Sequence, residues 1–193
     1  MRVIAGSAGG VRLAVPERGV RPTMERVKGA IFSSLGDAIV GARVLDLFAG
    51  TGALGIEALS RGAAAAVFVE EDRQSVEVLG KNLTKTKLKG RIRNQDVFDF
   101  LRCASNAGEF QIIFADPPYE KTKHGERYTE KLLNNETLPR LLEPRGMFVL
   151  EKRPDETVGE MKLWRVIRRK TYGATEVLFL SKSSIGNRQS AIK

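Results

Sequence analysis

One cysteine and one histidine are all that 193 residues contain of the commonest thiol and imidazole ligands. Cys103 permits no internal disulfide, which fits a reducing compartment, and no neighbour is placed to activate it as a nucleophile. With His124 alone, no His- or Cys-based metal cluster can be assembled, so no metal is expected. No apolar run approaches the ~20 residues that span a bilayer, so no membrane segment is expected. The opening Met1-Arg2-Val3-Ile4-Ala5-Gly6 has no secretory apolar core, and a cytoplasmic protein is expected. Aromatic residues are scarce, at 7%. Acidic residues are outnumbered, 23 against 32 lysines and arginines.

The resulting net charge of +9 favours a polyanionic partner such as nucleic acid. The surplus is uneven. Before residue 44 stand Arg2, Arg12, Arg18, Arg21, Arg26, Lys28 and Arg43 against only Glu17, Glu25 and Asp37. Lys121, Lys123 and Arg127 form a second basic stretch.

The apolar fraction of 42% and the length fit a single core. Residues 3–5 and 11–15 read as two short strands of a hairpin around Gly6-Ser7-Ala8-Gly9-Gly10. A helix is expected after Thr23, because Met24, Val27, Ile31 and Leu35 form one stripe, and Gly36 ends it. From Arg43 the pattern alternates. Strands are expected at 43–48, 66–70, 91–94, 111–115, 146–151, 163–169 and 175–181. Helices are expected at 52–61, 73–86, 97–104 and 128–142, the last broken near Pro139. Alternation of this kind means βαβ units and a mostly parallel sheet. The last two strands, joined without a helix, should form an antiparallel hairpin at its edge. Trp164 reads as a structural strand residue. This divides the chain into a basic N-terminal hairpin and helix (1–42), an α/β domain (43–181) and a loose tail (182–193).

Four short segments carry chemistry. Asp46-Leu47-Phe48-Ala49-Gly50-Thr51-Gly52-Ala53-Leu54-Gly55 follows a strand and opens a helix. Gly50 and Gly52 remove the Cβ atoms that would keep a ligand from the backbone. Asp46 suits a cationic cofactor better than a dinucleotide, whose pyrophosphate it would repel. Some 20 residues on, the second strand ends in Glu70, followed by Glu71 and Asp72. A carboxylate there accepts from ribose hydroxyls, and spacing alone does not choose among the three, although the strand end favours Glu70. The third strand ends before Asp96, which suits an adenine amine or a helix N-cap, the two being compatible. Last is Asp116-Pro117-Pro118-Tyr119. Its prolines stiffen the loop, Tyr119 can stack on a planar base, and the Asp116 carboxylate with the Pro117 carbonyl can accept both hydrogens of an exocyclic amine.

Residues 43–119 resemble the class I S-adenosylmethionine-dependent methyltransferases. More narrowly, residues 2–181 resemble the RsmD-type bacterial 16S rRNA guanine-N2 methyltransferases. The likeness is carried by Arg2 to Gly6, Gly10, Leu13, Arg21-Pro22-Thr23, Glu25-Arg26-Val27, Phe32, Leu45 to Gly55, Glu57 to Gly62, Glu70, Asp72, Arg73, Asn82-Leu83, Asp116 to Tyr119 and Tyr172-Gly173. Gly29, Ser33 and Glu25 depart from the family pattern. The resemblance implies a Rossmann-like seven-stranded sheet with an antiparallel last strand, and S-adenosylmethionine held by Asp46, Phe48, Gly50, Gly52, Glu70, Glu71 and Asp96. It implies catalysis by Asp116, Pro117, Pro118 and Tyr119. It also implies an N-terminal RNA-contacting extension, with Arg12, Arg18, Arg21, Thr23, Arg26, Lys121 and Lys123 as candidate contacts. The expected partner is 16S rRNA or a partly assembled small subunit, met by a monomer. The rivals are a DNA adenine-N6 methyltransferase, for which little chain is spare to read a groove, protein-glutamine methylation, whose motif starts with Asn, and a non-catalytic RNA-binding or assembly factor on the same fold.

Overall fold

The computed structural model describes residues 1–15, 22–105, 107–118 and 127–183, with the backbone alone for 22–24. Helix α1 (Pro22–Leu35) leads through a short 3-10 turn (Gly36–Ile39) into an alternating series. The series is β1 (Arg43–Leu47), α2 (Ala53–Ser60), β2 (Ala65–Glu70), α3 (Arg73–Thr86), β3 (Arg91–Asn94), α4 (Val97–Cys103), β4 (Phe110–Ala115), α5 (Tyr128–Leu133), α6 (Thr137–Leu141), β5 (Leu142–Lys152), β6 (Trp164–Tyr172) and β7 (Thr175–Lys182). The seven strands form one sheet in the order β3-β2-β1-β4-β5-β7-β6. The first five in that order run parallel, and β7 pairs antiparallel with both β5 and β6.

The strand sequences explain the layering. In β1 and β4 almost every residue is buried, as expected for central parallel strands covered on both faces. One core, holding Val44, Phe68, Phe114, Val149 and Phe179, packs under α1, α2 and α3. The other, holding Leu45, Val69, Ile113, Phe148 and Leu178, packs under α4, α5 and α6. Alternate residues of one strand thus feed opposite cores. Beyond β1 the chain moves to β2 on one side, and beyond β4 it moves to β5 on the other. The carboxyl ends of β1 and β4 therefore flank the crevice where doubly wound sheets take their ligands.

Several expectations change. The N-terminal hairpin shrinks to a single antiparallel bridge, Arg2 to Arg12. Backbone bonds from Val3 to Val11, from Gly10 to Val3 and from Leu13 to Met1 hold the two segments there. Neighbouring amides turn to other partners: those of Ile4 and Ala5 donate to the Glu57 carboxylate (2.7 and 3.1 Å), and that of Ala14 donates to Asn82 Oδ1 (2.7 Å). Nor is this segment detached from the α/β unit, since Val3, Leu13, Val27, Ile31 and Phe32 belong to the same core as the sheet. The expected helix 128–142 breaks at Asn134–Glu136, ahead of Pro139. Asn135 Oδ1 accepts the amides of Thr137 and Leu138 and so starts α6, and Pro139 then sits in a first turn, where its missing N–H costs nothing. Strand β5 begins four residues early, at Leu142, because Pro144 and Gly146 disguise it. Strand β6 runs on to Tyr172, leaving Gly173 and Ala174 as the turn, and Lys182 belongs to β7 and not to a tail. Trp164 is structural as expected: its indole N–H donates to the Leu133 carbonyl and its ring lies 4.9 Å from Phe148. Cys103 ends α4 and is exposed. Among the described residues no helix is long and apolar enough to cross a membrane.

Candidate active site

The glycine loop is shaped by left-handed backbone. Phe48 has φ +55°, uncommon for a residue with a side chain, and Gly50 and Gly52 follow at +53° and +84°. Nothing lies within 4 Å of where a Gly50 Cβ would stand, so that position opens onto free space. A Cβ on Gly52 would meet Leu79 at 2.2 Å, and one on Gly55 would meet the Phe68 ring at 2.3 Å. These two glycines let α2 pack tightly behind the loop, while Gly50 leaves room in front of it.

Two acids hold the loop in place. Asp46, buried at the penultimate position of β1, accepts the Gly55 amide at 2.8 Å and so caps α2 from within the sheet. Glu70, last in β2, accepts the Gly50 amide at 2.7 Å and the Asp72 amide at 2.9 Å. Both residues therefore have a structural task beside any ligand contact. Asp72 caps α3 through the Ser75 amide, and Asp96 caps α4 through the Asp99 amide. Glu71 is exposed, and its carbonyl, like that of Glu70, accepts from Asn94 Nδ2. Of the three adjacent acids, Glu70 is the one turned to the loop.

The register pairs Leu47 with Ala115, which sets Phe48 and Asp116 side by side at the crevice. Pro117 is buried and Pro118 exposed. On the far side of Asp116, the pairing of Ala115 with Leu150 brings in Glu151, a buried residue near the end of β5. Burial pushes the Asp116 carboxyl up to about 6. Asp46 is raised to about 8: burial dominates, the Gly55 amide opposes it, and the charges of Asp116 and Glu70 add to it. Glu151 is raised well above the carboxylate range by burial and by Asp116 and Asp46. Three crowded, desolvated carboxyls at the ends of β1, β4 and β5 either hold protons or welcome a cation. A guest with a positive centre fits this donor set, and the open ledge at Gly50 leaves it space.

Sequence reasoning missed Glu151, although it stands one residue from the end of β5, much as Glu70 stands at the end of β2. It also missed an aromatic cluster. The Phe48 ring lies 5.4 Å from that of Tyr128 and 6.3 Å from that of Phe98, and the latter two stack at 6.1 Å. Lys131 covers both of the stacked rings. Phe98, two residues past Asp96, was open to detection; Tyr128, beyond a long loop, was not. Among the candidate RNA contacts, Arg12 and Arg26 are exposed. Arg18, Arg21, Lys121 and Lys123, with Tyr119 and His124, lie outside the described residues, as does the side chain of Thr23. Lys28, counted in the basic surplus, is buried against Glu57.

This arrangement has known counterparts. The family described as conserved hypothetical protein 95 matches residues 1–181. Ribosomal RNA small subunit methyltransferase D of Escherichia coli is 43% identical over 123 residues, covering 63% of this chain and 61% of that protein. Its namesake in Haemophilus influenzae is 34% identical over 177 residues, covering 90% of this chain and 89% of that one. Among solved structures, the Thermus thermophilus 16S rRNA N2 G1207 methyltransferase in complex with AdoMet and guanosine superposes with a TM-score of 0.67 at 28% identity, over 86% of this chain and 44% of that one. With a match that runs almost from end to end on a class I methyltransferase sheet, the chain belongs to the family of conserved hypothetical protein 95, the RsmD-type methyltransferases.

Proposed function

We propose that this protein transfers the methyl group of S-adenosylmethionine to the exocyclic N2 amine of a guanine in 16S rRNA of the small subunit. The observation that carries this reading is the adjacency of Asp116-Pro117 to the glycine loop, fixed by the pairing of β1 with β4. Support comes from the relatives named for small-subunit rRNA methylation and from a neighbour named for N2 methylation of a guanine.

The cofactor supplies a sulfonium-activated methyl group. Asp46, Phe48 and the backbone at Gly50 and Gly52 hold its methionine end, Glu70 the ribose with Glu71 beside it, and Asp96 the adenine amine. The Asp116 carboxylate and the Pro117 carbonyl accept the two N2 hydrogens, Pro118 stiffens the turn and Tyr119 stacks on the base. A guanine amine is a weak nucleophile because its lone pair is delocalised into the ring. Two fixed acceptors favour the pyramidal form and aim the lone pair at the donor. The rate comes from this positioning and from exclusion of water, for which well-oriented reactions gain up to ~7–11 kcal/mol. RNA is gathered by Arg12, Arg18, Arg21, Thr23 and Arg26 on the N-terminal side and by Lys121 and Lys123 beyond the Asp-Pro-Pro-Tyr turn.

The test is methyl transfer from labelled cofactor to naked 16S rRNA, to assembling small-subunit particles and to DNA, followed by nucleoside analysis. N2-methylguanosine in RNA is expected. N6-methyladenine in DNA would replace this reading with its first rival. Cofactor binding with no transfer to any substrate would favour an assembly factor.

A further inference from the structure

Strand β6 is the outer edge of the sheet, and four of its nine residues are cationic with no acid among them. Arg165 and Arg168 are three apart, so in a regular strand they would face opposite sides. They do not, because the pairing with β7 slips at Ile167: Val166 opposes Leu180 and Arg168 opposes Phe179. This bulge sets Arg165, Arg168 and Lys170 opposite Ser181, Phe179 and Val177, all three on one face. Phe179 and Val177 belong to the core under α1. The three cations therefore stand on the sheet face that carries α1, where Arg26 is also exposed.

The fourth cation behaves differently. Arg169 points to the other face, 3.6 Å from Glu176, which lies 2.9 Å from buried Lys152. Among the described residues no ion pair engages Arg165, Arg168 or Lys170. Charges on an edge strand can serve merely to prevent edge-to-edge pairing. That task needs no common face, and the bulge at half-exposed Ile167 already spoils the edge. A row of same-face cations about 6.6 Å apart along an extended strand matches instead the spacing of successive phosphates on a nucleic acid strand.

We propose that Arg165, Arg168 and Lys170 form a phosphate-contacting surface for the RNA substrate, remote from the catalytic crevice and on the same side as α1. This rests on the RNA reading above. Each phosphate neutralised releases counterions and steepens the salt dependence of binding by about 0.7–0.9 in log–log slope.

The experiment uses the full chain and transcribed 16S rRNA. Replacing Arg165, Arg168 and Lys170 together with Gln should lower the slope by about two and weaken binding about tenfold or more near physiological salt. Affinity for S-adenosylhomocysteine should stay the same. Arg169→Gln is the control and should leave the slope unaltered. Should the triple variant fold poorly, Arg165→Gln and Arg168→Gln taken singly should each remove about one unit of slope. An unchanged slope in these variants, while the wild type methylates RNA, overturns this surface and leaves the activity standing. A wild type that neither binds nor methylates RNA overturns both.

Discussion

Lys28 on α1 and Glu57 on α2 form an ion pair of 3.0 Å with both side chains buried. Glu57 is the hub of the N-terminal packing. Besides Lys28 it accepts the amides of Ile4 and Ala5 and the Arg61 guanidinium at 2.7 Å, and Lys28 in turn donates to the Arg2 carbonyl. Next to it Ser60 donates to the Ala5 carbonyl and accepts the Ala8 amide. The basic N-terminal segment is thus fastened to the helix that begins at the glycine loop.

Glu57→Gln should therefore destabilise the whole protein, by about 3–5 kcal/mol, the cost of leaving a buried charge unpaired. Denaturant unfolding measures this directly. Burial alone would raise the Glu57 carboxyl, but the Ile4 amide, Lys28 and Arg61 outweigh it and hold it below the usual range. A depressed acid contributes stability that is present above its ordinary value near 4.5 and is lost as pH falls through the lowered one. The difference between wild type and Glu57→Gln should accordingly shrink under acid.

Asp116→Asn should leave affinity for S-adenosylhomocysteine within a few-fold of wild type and remove most turnover, because Asp116 is assigned to the substrate amine. Calorimetry and single-turnover methyl transfer separate the two effects. Loss of cofactor binding with the fold intact would show that the division of roles is wrong. In the wild type, burial holds the Asp116 carboxyl at about 6. Since the ionised form is the acceptor, kcat/KM should rise with pH through about that value.

Binding of the cationic cofactor should release protons at neutral pH. Asp46 is raised to about 8 in the free protein, so much of it is protonated at pH 7, and a nearby positive centre favours its ionised form. Calorimetry in buffers of different ionisation enthalpy reads the proton count. S-adenosylhomocysteine, whose sulfur is neutral, should release fewer. The sign for stability runs the other way: a raised acid contributes stability below its ordinary value, and this is lost as pH rises through about 8. The melting temperature of the free protein should fall between pH 6 and 8.5, and the cofactor should restore part of it.

Gly55→Ala should cost about 1–3 kcal/mol of overpacking, because its Cβ would press on the Phe68 ring and stand 3.0 Å from Asp46 Oδ2. Since the same shift disturbs the Asp46 cap, cofactor affinity should fall too. Gly50→Ala meets no neighbour within 4 Å but must adopt φ +53°, so its effect should fall mainly on the cofactor side. Thermal unfolding and calorimetry on both variants check the contrast.

The order of strands and helices after Arg43 was legible in the sequence because each element repeats its own period of apolar residues. The left-handed turn of the glycine loop and the placing of Asp116 at a strand end were legible because each is written in consecutive residues. So was the N-cap at Asp96, which depends on an amide only three residues away; the like cap at Asp72 was not read from the sequence. What stayed hidden rests on distant partners. Nothing local reveals that Glu57 takes the amides of Ile4 and Ala5, or that Asn82 clamps Ala14 and Thr51 together. Glu151 joins Asp46 and Asp116 only because β1, β4 and β5 lie side by side in the sheet. Arg165 and Arg168 share a face only because β7 slips by one residue against β6. Residue types and short-range spacing fixed the elements and the chemical groups. Strand order and register decided which groups meet, because pairing energies between segments far apart in the chain leave no trace in the local pattern.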